Sequence, residues 1–175
     1  MKRIAAALAI LVLAGASLSA AEAKKKVKIE LDPIKTAPRE MDAGGMALGL
    51  FLGQPTGLSF RLGLSAEQSL EAKAAWDFVG SKDGAAQFAF QANWLLELPG
   101  TLVIEDVDIP PYIGAGVALG VGNEVSLGLR VPFGLVYRFE KAPLELGLEV
   151  GVGMSLVPAT KFAIDGGLAL RYRLK

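Results

Sequence analysis

From Arg61 onward, charged residues recur in step with glycine, alanine and serine and out of step with large apolar side chains. Arg61, Lys73, Arg130, Arg138, Glu145, Glu149, Asp165 and Arg171 all obey this rule, as do Glu71, Asp77 and Arg173. Mixed charges at such spacing suit one chemistry above others, ion pairing in a confined interior. An unpaired charge there is expensive. Glu145 and Glu149 share a strand face and suggest acid–base work, but two such acids read more simply as ion-pair partners. The chain holds no His and no Cys, so the usual general base and the commonest metal ligand are missing. Neither a P-loop nor a dinucleotide motif is present, and the Gly114–Gly120 run lacks the spacing and following helix of a phosphate site. The expectation is no catalysis, no cofactor and no metal, with the eight charges forming a structural network.

The elements that position these charges must alternate with a period of two, which is the signature of a two-faced β-strand. Eight segments do so. They span about 45–53, 58–65, 70–79, 86–96, 112–120, 127–139, 144–154 and 162–174. In the last one, Phe162, Ile164, Leu168, Leu170, Tyr172 and Leu174 share one parity. Lys161, Ala163, Asp165, Gly167, Ala169, Arg171 and Arg173 share the other. Gln54–Gly57 and Ser81–Gly84 carry turn chemistry. Residues 98–111 are the longest connection; Pro99-Gly100 marks a turn, while the β-prone stretch 101–109 could lengthen the fourth and fifth strands. Pro132 cannot donate to a ladder, which predicts a bulge or a missing bond.

The N-terminus reads as an export signal over residues 1–23. Lys2 and Arg3 precede an apolar stretch from Ile4 to about Leu18, and Ala21-Glu22-Ala23 fits a cleavage site, with Ala21 a close alternative. Residues 24–41 are a charged linker expected in the periplasm. Val27, Ile29 and Leu31 alternate there, which allows a short strand. Residues 42–175 form the barrel. The formal net charge is zero, which gives no sign of a nucleic-acid partner.

Two barrels share this pattern, one with its apolar face inside and one with it outside. Volume decides between them. An eight-stranded barrel is only wide enough for side chains or one small ligand. The apolar parity holds far too many Leu, Phe, Val and Ile for that space, whereas Gly, Ala, Ser and scattered charges fit. Charge placement agrees, because a Lys or Arg facing lipid at midplane costs about 2–4 kcal/mol and the last three segments have none on the apolar parity. The expected fold is an all-β, eight-stranded antiparallel up-and-down transmembrane β-barrel with the charges inside. Arg138 and Glu145 are predicted to face each other across the 140–143 turn. Trp76, Phe78, Trp94, Phe133, Tyr137, Phe139, Phe162 and Tyr172 lie mostly toward strand ends, like the girdles of membrane barrels.

Two resemblances sharpen this. Asp165, Gly167, Leu170 and Tyr172 resemble the C-terminal signal read by the outer-membrane barrel assembly machinery, although Leu174 stands where a terminal aromatic is usual. Residues from Gly53 onward resemble a family of small outer-membrane β-barrels of diderm bacteria. The matching pieces are Gly53-Gln54-Pro55-Thr56-Gly57-Leu58-Ser59, Pro111-Tyr112-Ile113-Gly114-Ala115-Gly116, Leu129-Arg130-Val131-Pro132-Phe133-Gly134 and Asp165-Gly166-Gly167-Leu168. The resemblance implies an eight-stranded barrel and no molecular activity. The expected function is a non-enzymatic outer-membrane barrel with a structural or interaction role. Its partners are the lipid bilayer and the assembly machinery, and it is a monomer. A narrow channel for small solutes is the alternative, with a soluble ligand-binding barrel behind it.

Overall fold

The computed structural model describes residues 28–29, 43–77, 87–104, 107–122 and 124–174. The expected export signal, most of the expected 24–41 linker, Phe78 and the expected 81–84 turn lie outside the described residues. The elements are β1 Lys28–Ile29, β2 Met46–Gln54, β3 Thr56–Gly63, β4 Gln68–Asp77, β5 Gln87–Glu97 and β6 Leu102–Ile104. They continue as β7 Val107–Asp108, β8 Pro111–Val121, β9 Val125–Arg138, β10 Leu144–Val157 and β11 Lys161–Leu174.

Eight of these strands form one closed antiparallel barrel in the order β10-β11-β2-β3-β4-β5-β8-β9. The chain therefore runs up and down, and β11 returns to pair with β2, so that Tyr172 faces Leu48 and Leu174 faces Met46. Alternation sets which face is which. Leu48, Leu50, Leu58, Phe90, Trp94, Val117, Leu129 and Leu170 all point outward and are exposed. Ala47, Ser59, Glu145 and Ala169 point inward and are buried.

Local chemistry shapes the turns. At β2–β3 the Thr56 hydroxyl donates to the Gly53 carbonyl (2.7 Å) and accepts from the Gly53 amide (3.2 Å). At β3–β4 the Ser65 hydroxyl accepts from the Gln68 amide (3.1 Å). Such side-chain bonds stand in for ladder bonds where the strand ends.

One expectation needs correction. Residues 101–109 do not lengthen β5 and β8. Gly100 adopts a left-handed φ of 72°, open to glycine at little cost, and its amide is held by the Asp108 carboxylate (3.1 Å). That turn peels the connection off the barrel, and β6 and β7 join β1 in a separate three-stranded sheet. Lys28 of the linker faces Val103 there. At Pro132 the missing bond, one of the two expected outcomes, is what the structure has. The β8–β9 ladder skips the Gly114 and Ala115 positions opposite Pro132 and Val131, then resumes in register at Gly116↔Arg130. A register shift lies on β10, between Ser155 and Val157.

Candidate functional site

The inward parity of the eight barrel strands converges on one buried ion network. Among the described residues it holds five cations (Arg61, Lys73, Arg130, Arg138, Arg171) and five carboxylates (Glu71, Glu97, Glu145, Glu149, Asp165). The charges cancel, as a low-dielectric interior requires.

Glu145 is the hub at the end of the barrel where β2 begins and β11 ends. Its carboxylate accepts from Arg171 Nη1 (2.8 Å) and Arg138 Nε (3.2 Å) and lies 3.4 Å from Arg61 Nη1. Those partners come from β11, β9 and β3, so one side chain on β10 ties four strands. Arg138 and Arg171 are its direct cross-strand neighbours, and so they reach it without stretching. Arg138 also grips both Glu97 oxygens (2.7 and 2.8 Å). Both bonds come from the one nitrogen Nη2 and are charge-assisted, the stronger kind of hydrogen bond. Arg61 reaches the same Glu97 at 3.3 Å and lies 5.1 Å from the centre of the Tyr112 ring.

A second level is built on Glu71 and Glu149. Glu71 binds Arg171 Nη2, lies 3.0 Å from Lys73 Nζ and accepts from Asn93 Nδ2 (3.2 Å). Glu149 binds Lys73 Nζ, accepts from Arg130 Nη2 (3.0 Å) and takes the Tyr112 hydroxyl (2.9 Å). Arg130 also donates to Asn93 Oδ1 (3.1 Å) and to Asp165. Asp165 is the network's accessible end, with its side chain 22% exposed. Glycine makes room at two places. A Cβ on Gly151 would overlap Arg130 Nη2 and Asp165 Oδ1, and one on Gly134 would strike the Tyr112 ring that lies across it.

The other residues singled out by the sequence divide. Arg173 stays outside the network and donates to the Phe139 carbonyl (3.1 Å) at the β9–β10 turn. Leu170 and Tyr172 point outward and Asp165 inward, while Gly167 lies against β2, where a Cβ would overlap the Leu52 carbonyl. Glu97, Ser59, Gln91, Asn93 and Tyr112 are network members that the sequence argument left out. The signal for Glu97 was two further steps of the Gln91, Asn93 parity, through Leu95 to the residue just past the expected strand end. The interior also takes large apolar groups. Leu95, Tyr112 and Val136 pack together, and Phe51 lies under Lys73 Nζ (4.2 Å to the ring centre).

Every carboxylate in this network is held by a cation. Among the described residues, no group of three or more His, Cys, Asp and Glu could hold a metal ion. The arrangement cross-braces strands and closes the barrel's interior. Toward the Lys161 end the inward-facing Ala89, Ala118, Ser126 and Gly153 are only half-buried, so the barrel is a cup with a charged floor.

Comparison with family models, with curated proteins and with solved structures found no match. The class rests on the molecule's own geometry. The protein is an all-β, eight-stranded closed antiparallel barrel.

Proposed function

We propose that this protein is an integral outer-membrane β-barrel with a structural or interaction role, neither an enzyme nor an open pore. One observation carries the reading: the barrel is apolar outside on all eight strands, and six of them, all but β2 and β8, carry charge inside. Leu50, Leu58, Leu70, Phe90, Val117, Phe133, Val150 and Leu170 represent all eight strands and are each at least 40% exposed. A soluble monomer's largest apolar patch is about 300–600 Å², whereas this belt encircles the molecule. Strand lengths agree. β2, β4, β5 and β8 have 9, 10, 11 and 11 residues, close to the roughly 9–11 tilted residues that cross a bilayer. Where β11 pairs with β2, from Gly166 to Leu174, closure leaves no free ladder edge for lipid to penalise.

The apolar N-terminal stretch supports export, and the pattern of Asp165, Gly167, Leu170 and Tyr172 supports recognition by the barrel assembly machinery. Buried side chains spanning the lumen, Arg61, Glu71, Glu145 and Arg171 among them, support a plugged interior over a conducting one. The test is fractionation of the full chain with gel mobility before and after heating. The expected result is outer-membrane recovery with heat-modifiable migration. Recovery as a soluble periplasmic protein would overturn the proposal.

A further inference from the structure

β11 is paired along its whole length on one side but not on the other. Its ladder with β10 begins at Lys161↔Ser155, whereas its ladder with β2 begins only at Gly166↔Gln54. The chain turns back at Pro55 into β3. Among the described residues, no strand lies beside the β2-facing edge from Lys161 to Asp165. The next barrel strand round, β4, is three strand spacings away. At about 4.8 Å each this leaves a notch of about 14 Å, with room for added strands.

The side chains on this edge are as unusual as its backbone. Phe162 and Ile164 are 72% and 65% exposed, more than any other large apolar residue described. They sit mid-edge, flanked by Lys161 and Asp165. Arg130 already holds Asp165, whereas Lys161 makes no ion pair among the described residues. Proteins normally blunt a free edge with charge, proline or a bulge, because unpaired amides and carbonyls template another strand. Here the central positions are apolar and open.

We infer that Lys161–Asp165 is a docking edge for an extended peptide strand. The fitting partner runs antiparallel to β11, places apolar residues opposite Phe162 and Ile164, and an acidic residue opposite Lys161. Backbone bonds supply affinity and the alternate side chains supply register. A second copy in the same bilayer does not fit. Strands tilted by about 35–45° in two barrels that point the same way would cross at roughly 70–90°, too steep to pair. The inference goes beyond the membrane proposal and can fail separately, since the edge is free whatever surrounds the belt.

The test uses the full chain in detergent micelles and a hexapeptide copying Val150–Ser155, the segment already paired antiparallel with this stretch on its other side, with glutamate at its last position. A second peptide of the same sequence is N-methylated at alternate residues, which removes its ladder donors. The expected result is slowed exchange at the 161–165 amides that face away from β10 with the first peptide, and binding about tenfold or more weaker with the second. Equal binding of the two would overturn the inference, because it would mean apolar adsorption. Absence of binding would overturn it too. So would slow exchange, before any peptide is added, at the 161–165 amides that face away from β10, because the chain itself would then cover the edge.

Discussion

Replacing Glu145 with Gln removes one charge and little volume from the hub of the network. Three guanidiniums, on Arg61, Arg138 and Arg171, lie within 3.4 Å of its carboxylate. The amide keeps one acceptor but turns a donor toward a cation, and the interior gains a net positive charge. Breaking a buried pair by removing one partner costs about 3–5 kcal/mol, and the lost contacts fall on three strands at once. E145Q is therefore expected to lose about 3–5 kcal/mol of barrel stability. Adding Arg138→Gln restores the charge balance, so the double variant is expected to show a coupling of about 1–3 kcal/mol. Urea unfolding in vesicles, followed by emission from Trp76 and Trp94, reads both quantities. Additive single variants, or an E145Q within about 0.5 kcal/mol of wild type, would refute the network and mean that the charges are individually hydrated.

Three other perturbations follow from the same geometry. Leu129→Arg, on the outward face of β9, is expected to cost about 2–4 kcal/mol when the barrel folds into vesicles, read from the same urea curves; a water-facing site would tolerate it. Gly151→Leu drives a side chain into the Arg130–Asp165 pair and should destabilise by at least about 1–3 kcal/mol, read as a lower heating midpoint for gel mobility. Tyr172→Ser is expected to lower assembled protein in cells several-fold while leaving unassisted refolding into vesicles nearly unchanged. Equal losses in both assays would remove Tyr172 from any assembly signal.

Strand number and strand faces were legible in the sequence because a period of two repeats over seven or more residues in every segment. Met46, Leu48, Leu50 and Leu52 announce their face without help from the rest of the chain. Strand ends were less legible, since they depend on partners. Thr56 joins β3 because Trp76 lies opposite, and Glu97 joins β5 because Tyr112 does. The network's membership was readable only in part. Parity marks a side chain as inward, but whether Asn93 or Tyr112 completes an ion pair depends on relative strand heights. Phe51 and Leu95 broke the small-or-charged rule for inward positions, and only the lumen's local width admits them. The β1–β6–β7 sheet joins residues about seventy-five apart in sequence, Lys28 and Val103, and local pattern carries no trace of such a pairing.

The central claim is that the outward apolar belt meets lipid. Trp76 and Trp94 both lie on that belt and are 40% and 41% exposed. Refolding the protein into vesicles whose acyl chains carry bromine measures their surroundings directly. The account predicts strong quenching of both tryptophans by brominated chains and little by a water-soluble quencher such as iodide. Emission that ignores the brominated lipid and responds to iodide would contradict it.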